Sequence, residues 1–459
     1  MKNNKYEIDM CNGTIMDKLI SFAFPLMLSG ILQLMFNAVD IIVVGRFSGS
    51  QALAAVGSTT ALINVFVNLF IGISLGANVL AARFYAAGRE EEMSQTVHTA
   101  ITLALISGVV MAFVGVLFAK GALELMGTPD DVISQSTLYM RIYFMGMPFF
   151  MLYNYGAAIL RAVGDTKRPL FFLIISGCIN AGLNLILVIG FHLDVAGVAI
   201  ATIISQCVSC ILVLRCLCRT QGSYQLHFSK LSINGAYLKQ IFQVGIPAGI
   251  QSTVINFSNA LLQSSVNSFG ATAMAGYTAA NNLLGFLYVS VNSITQACMS
   301  FTSQNFSVGK YKRMDRVLMD CLILSVSVAA VLGCSVYFFG AQILTIYTKE
   351  PDVIACGLEI LSITTVPYFL CGIMDLFPGA LRGMGYSSVP MILSVIGTVG
   401  MRILWIFVFF PLHRSLYFLF ISYPASWLAT IVMQVICYYF VRKKCLSAVK
   451  NPDLEKIRQ

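Results

Sequence analysis

The chain has 459 residues, 58% of them hydrophobic and 11% charged, with a mean hydropathy of +0.80. That composition excludes a soluble globule, and apolar runs too long and continuous for β-barrel alternation leave an all-α polytopic membrane protein. The net charge of +9 sits in short loops between apolar spans, which reads as an orientation signal and not as a nucleic-acid surface.

Residues 1–17 carry Glu7, Asp9 and Asp17 and lack an A-x-A cleavage site, so they do not read as a signal peptide. The first span follows, LISFAFPLMLSGILQLMFNAVDIIVVGR from Leu19 to Arg46, with Asp40 as its single acid. A helix of about 20 apolar residues crosses a hydrocarbon core of about 30 Å, and this stretch is long enough. Gln33, Asn37 and Asp40 fall on one helical face. A carboxylate there belongs in the bundle interior or a wet cavity, on an ion or substrate path, unless a neighbouring helix simply holds it.

Apolar runs bounded by charge, Gly or Pro predict twelve spans: 18–44, 51–82, 95–119, 132–158, 168–191, 196–217, 238–268, 273–304, 317–341, 352–380, 388–411 and 415–441. They predict an N-terminal six-helix lobe over 1–217, an inter-lobe loop over 218–237, a C-terminal six-helix lobe over 238–441 and a basic tail over 442–459. Of the 29 Lys and Arg, only Arg46, Lys120, Lys349 and Arg414 fall on the face opposite the N-terminus, and Arg141 and Arg402 lie within spans. The bias places both termini, the inter-lobe loop and the tail in the cytoplasm of a multi-pass protein of the plasma (inner) membrane. Arg402 and Glu359 lie at about the same depth and are candidates for a buried pair; Arg141 is a candidate partner for Asp40, and Asp375 a local one for Arg382 two helical turns on.

Thirteen cysteines lie mostly inside apolar spans, and the four histidines are scattered. The one C-x-x-C, Cys207 to Cys210, reads as small packing residues and not as a metal or redox motif. No metal site and no cofactor are expected.

The chain repeats itself. ILRAVGDTKRP (159–169) and ALRGMGYSSVP (380–390) match at Leu160/Leu381, Arg161/Arg382, Gly164/Gly385 and Pro169/Pro390, each pair 221 residues apart. The same offset joins Gly88 to Gly309 and Met93 to Met314, while Pro25 and Pro247 are 222 apart. Six spans separate equivalent positions, so the halves enter the membrane in the same direction. The elbows read as structural turns, with Gly for the turn and Pro to open the next helix.

Polar stripes mark the first two helices of both halves. Asn64 and Asn68 lie in span 2; Ser252, Asn256, Asn259, Gln263 and Asn267 in span 7; Asn281, Tyr288, Asn292 and Gln296 in span 8. Amides left unsatisfied in hydrocarbon cost several kcal/mol each, so these face protein or water. A hydrated substrate cleft between halves, with amides, aromatics and methionines for organic cations, is preferred here to interhelical hydrogen bonding.

Three features together resemble the MATE (multidrug and toxic compound extrusion) family over essentially the whole chain: Pro25 followed by Asp40 and Val44-Gly45; the elbow LRAVGDTKRP with its copy LRGMGYSSVP; and GLNLILVIGF followed by AGVAIAT. The resemblance implies two six-helix lobes around a cleft and a drug:cation antiporter. It also implies an N-lobe site of the span 1 Asp, an Asn and an Asp one turn apart in span 5, and a Thr in span 6. Asp40, Asn184 and Thr202 answer to that pattern, with Val188 where the second acid is expected and Ile255 where the NorM-like branch has a Glu. These departures make the chain look closer to the DinF-like and MepA-like branches. A single carboxyl manages a proton more simply than a sodium ion that needs several oxygen ligands.

The expected function is a non-enzymatic secondary antiporter, working as a monomer in the lipid bilayer, that exports small-molecule organic cations against protons or sodium. The alternative is a lipid-linked precursor flippase, which needs basic residues along its path that spans 1, 2, 7 and 8 almost wholly lack. No G-x-x-x-x-G-K-[ST] motif provides for ATP.

Overall fold

The computed structural model describes residues 6–450, so the last part of the tail, 451–459, lies outside the described residues, as do residues 1–5. The elements are helical throughout. The first half runs α1 (Met16–Phe47), α2 (Gly49–Ala86), α3 (Glu90–Leu125), α4 (Asp130–Met145), α5 (Met147–Ala162), α6 (Lys167–Asn184) continued by a π-helix over Leu185–Gly190, and α7 (Asp194–Arg219). The second runs α8 (Gly235–Asn267), α9 (Ala271–Ser307), α10 (Tyr311–Leu344), α11 (Pro351–Thr364), α12 (Tyr368–Gly383), α13 (Ser388–Ser394), α14 (Met401–Leu404), α15 (Leu416–Phe420) and α16 (Ser422–Lys450).

All twelve predicted spans have helices in them. The fourth is α4 and α5, divided at Gly146, and the tenth is α11 and α12, bent by 52°. Eight described helices are long and apolar enough to cross a membrane, or nine with that bent pair as one. The amide-bearing α8 and α9 fall short of that hydropathy. Large apolar side chains such as Phe113, Leu117, Phe338 and Phe407 are exposed, the surface a lipid-facing helix presents.

The elbows confirm the repeat at the level of single hydrogen bonds. Gly164 (φ +94°) and Gly385 (φ +89°) are both left-handed, a backbone that a Cβ disfavours. Gly164 N donates to Arg161 O and Asp165 N to Leu160 O; Gly385 N donates to Arg382 O and Tyr386 N to Leu381 O. In the first elbow Asp165 takes hydrogen bonds from the backbone and side chain of Arg168. Burial pushes the Asp165 carboxyl up, and Arg168 pulls against that shift.

The chain forms two compact units. One comprises residues 1–249 and 303–310, the other residues 250–302 and 311–459. The division falls within α8 and near the end of α9, whereas the sequence places it at 218–237; that loop lies wholly in the first unit. There His227 N donates to His98 Nε2 and Asn234 N to Thr99 Oγ1, tying the loop to α3. Glu7 is also held in the first unit, accepting from Tyr85 at 2.7 Å and Tyr224 at 2.6 Å.

Candidate functional site

Within the first unit, α1, α6 and α7 bring four polar side chains together. α1 and α6 pack tightly where Phe36 meets Gly177: a Cβ on that glycine would lie 1.9 Å from the phenyl ring. Only a residue without a side chain admits this approach. One turn beyond Phe36 stands Asp40, and Asn184 lies two turns beyond Gly177.

Asn184 Nδ2 donates to Asp40 Oδ1. It also donates to Asn180 Oδ1 at 3.2 Å, and Asn180 Nδ2 donates to Thr202 Oγ1 at 3.5 Å. Thr202 in turn gives its hydroxyl hydrogen to Val198 O at 2.9 Å. Asn184 is fully buried, and its Oδ1 has no partner. None of the four ion pairs among the described residues involves Asp40. The carboxylate is thus held by one amide and by no cation.

The backbone changes at this point. From Leu185 the helix continues in the π form, with Phe191 N bonded to Ile186 O and Asn184 as its N-terminal neighbour. Such segments widen a turn by one residue and recur at functional positions. Within the same unit the Tyr139 and Tyr143 rings of α4 stack with centroids 6.2 Å apart.

The sequence reading matches Asn184 and finds Val188 one turn on, where the resemblance expects an acid; in the structure the polar pair one turn apart is Asn180 and Asn184. Val188 is buried in the π-helix against Gly197. Asn180 is therefore the member the sequence reading missed. Its signal was present as a polar residue one turn before Asn184 in an apolar helix.

The basic residues also depart from expectation. Arg141 is exposed and donates from Nε to Val116 O at 3.1 Å, not to Asp40. Glu359 accepts from Tyr417 N at 3.1 Å, capping α15, while Arg402 donates to Asn259. Equal depth did not bring Arg402 and Glu359 together because depth carries no information about which way a helix is rotated. Asp375 and Arg382 form no ion pair among the described residues, and Arg382 donates to Gln251 at 2.6 Å.

Most residues of the polar stripes are turned outward from the packing. Gln33, Asn37, Asn64, Asn256, Gln263, Asn281 and Tyr288 are exposed, while Asn68, Asn259 and Asn292 are half-buried. Along α9, Gln296 donates to Asn292 Oδ1 at 3.0 Å and Asn292 Nδ2 to the Tyr288 hydroxyl at 3.4 Å. Exposed amides are not serving as hydrogen bonds that hold helices together. Asn259, through Arg402, does bridge to another helix in that way.

The chain matches the MatE family model twice, over residues 25–186 and 247–408. It is 31% identical to the probable multidrug resistance protein YoeA of Bacillus subtilis, covering 92% of this chain and 93% of that one. With the multidrug export protein MepA of Staphylococcus haemolyticus it shares 23% identity, over 86% and 87% of the two chains. Among solved structures it superposes on the outward-facing conformation of a multidrug resistance MATE family transporter with a TM-score of 0.88. That alignment has 19% identity and covers 98% of this chain and 100% of the other. A second, MATE in complex with MaL6, gives a TM-score of 0.89 at the same identity and coverage.

Proposed function

The chain belongs to the MatE family, and from that premise we propose that it is a secondary antiporter. In this reading it exports organic cations in exchange for protons, by alternating access of its two six-helix lobes, with Asp40 as the coupling carboxyl. Its relatives include multidrug export proteins, on the MepA side of the family to which the missing second acid points.

The observation that carries the reading is the Asp40–Asn184 contact without any basic partner. A carboxylate set among helices and lacking a fixed cation is completed by a mobile one. When Asp40 is ionised it accepts from Asn184 Nδ2. When it holds a proton it becomes a donor, and the unpartnered Asn184 Oδ1 is the acceptor within reach once the amide turns over. Loading the proton therefore rearranges the Asn184–Asn180–Thr202 chain and biases the packing of α1, α6 and α7. A ligand moves such an equilibrium only by its differential affinity for the two conformations, and proton and drug must favour opposite ones.

Protons are favoured over sodium by the donor set. Asp40 is the one acid of the cluster and the Asn184 amide turns its nitrogen toward it, whereas a hard cation is held by several converging oxygens. In this reading the drug meets the exposed Gln33, Asn37 and Asn64 with the half-buried Asn68 in the first unit, and the exposed Asn256, Gln263, Asn281 and Tyr288 with the half-buried Asn259 and Asn292 in the second. An organic cation meets amide oxygens and aromatic faces there. The loop charge bias sets both termini in the cytoplasm, and the monomer is the working unit because one chain supplies both repeats.

Purified protein in liposomes tests this reading when proton and sodium gradients are imposed separately. Export of an organic cation should follow the proton gradient. Transport driven by sodium alone would overturn the assignment of the ion.

A further inference from the structure

The repeat places a second polar cluster on the counterparts of the helices that carry the first, with Thr202 as the one position the two clusters share. By the offset that joins Leu160 to Leu381, Thr202 corresponds to Tyr423 and Ala181 to Arg402. By the offset of Pro25 and Pro247, Asn37 corresponds to Asn259. The second half thus has a cluster of its own on the counterparts of α1, α6 and α7, wholly inside the second unit. Its sign is reversed. Where the first cluster centres on a carboxylate, the second centres on a guanidinium.

Arg402 is only 3% exposed. Its Nη1 donates to Asn259 Oδ1 at 2.7 Å, and its guanidinium carbon lies 4.2 Å from the centre of the Tyr423 ring. Its Nε is buried without a hydrogen-bond partner. No ion pair among the described residues includes it. The expected acid, Glu359, accepts from Tyr417 N instead. One amide oxygen and one ring face compensate a buried cation only in part, because such a group ordinarily has a counter-ion.

The backbone also singles out this position. Arg402 sits on the four-residue α14, with π-helical segments on both sides at Val395–Gly400 and Trp405–Phe409. Such irregularity in a membrane helix is tolerated where the segment serves a site. Asn259 is half-buried and belongs to the same helix as the exposed Asn256 and Gln263. The guanidinium is therefore reached from the polar stripe of α8.

We propose that Arg402, flanked by Asn259 and Tyr423, is an anion site of the second lobe. It takes a small monovalent anion, either the carboxylate of a transported molecule or a free halide. The Nε and Nη hydrogens supply a planar fork that fits a carboxylate, and the Tyr423 face excludes water behind it. The site does not depend on the reading of Asp40.

The protein carries its own probes. Its two tryptophans are Trp405 and Trp427. Trp405 is three residues from Arg402, and Trp427 stands edge-on to Tyr423 with centroids 5.7 Å apart. Full-length protein in detergent is titrated with sodium benzoate, benzamide and sodium chloride at constant ionic strength, and tryptophan fluorescence is read. Benzoate should give a saturable change that benzamide does not. A saturable response to chloride that competes with benzoate identifies a general anion site, and a response to benzoate alone identifies a carboxylate site. Arg402→Gln should weaken binding by about tenfold or more, the scale of a lost charged hydrogen bond. Asn259→Asp keeps the guanidinium but gives it a built-in counter-ion, and should abolish saturation; this variant carries the test if Arg402→Gln does not fold. Absence of any saturable signal in the wild type, or unchanged affinity in the variants that fold, overturns the proposal.

Discussion

Asn184 donates to Asp40 Oδ1 across 144 residues of chain, and it is the only side-chain hydrogen bond that the carboxylate receives among the described residues. With Asn180 accepting its other hydrogen, the amide of Asn184 is fixed in orientation while its own oxygen stays unpartnered. Asn184→Asp places a second carboxylate against the first. Two like charges at hydrogen-bond distance cannot both ionise without a cation between them. The variant should therefore gain sensitivity to sodium: export under a sodium gradient, negligible in the wild type, should become measurable in liposomes.

Arg141 is a surface residue bonded to a carbonyl of α3. Arg141→Ala should leave export within about twofold of wild type and the thermal midpoint nearly unchanged, as substitutions at exposed positions usually do within about 0.5 kcal/mol. Loss of gradient-driven export with normal folding would show that this arginine serves Asp40 after all.

Two glycines of α2 give opposite expectations. A Cβ on Gly72 would sit 2.2 Å from Gly249 N, whereas one on Gly57 meets nothing within 4 Å. Gly72→Ala should lower the thermal midpoint sharply, because overpacking against backbone costs about 1–3 kcal/mol or more. Gly57→Ala should hold or raise it, by up to about 1 kcal/mol of helix propensity. Unfolding of detergent-solubilised protein followed with a thiol-reactive dye reads both, since all thirteen cysteines are free.

Glu7 ties the N-terminal segment to α2 and the loop after α7 through Tyr85 and Tyr224. Glu7→Ala removes two hydrogen bonds to a charged group, worth about 1.5–3 kcal/mol each. Limited proteolysis should then cut near the N-terminus at least tenfold faster, while cleavage elsewhere is unaltered.

The helical spans and the repeat were legible because each rests on composition along the chain: apolar length between charged ends, and paired Gly and Pro at one offset. Asp40 and Thr202 were legible as polar residues in apolar helices that match a family pattern. Asn184 was legible in the same way and is the residue that bonds Asp40; its own partner Asn180 was not, since helix periodicity makes Asn180, Asn184 and Val188 equivalent by face and only packing sets their depth. The π-helices after Asn184 and around Arg402 have no compositional signature. Pairing Arg402 with Glu359 failed because two residues at one depth need not face each other; rotation turned one toward Asn259 and the other toward the end of α15.

The central claim is that Asp40 exchanges the proton that drives export. Asp40→Asn keeps the shape of the side chain and a hydrogen-bonding partner for Asn184, but it cannot titrate. In liposomes with an imposed proton gradient, export of an organic cation by this variant should fall to the protein-free background, while binding of the same cation to the purified variant stays within about threefold of wild type, less than the 1.4 kcal/mol of a tenfold change. Export at the wild-type rate by Asp40→Asn under that gradient would contradict the account.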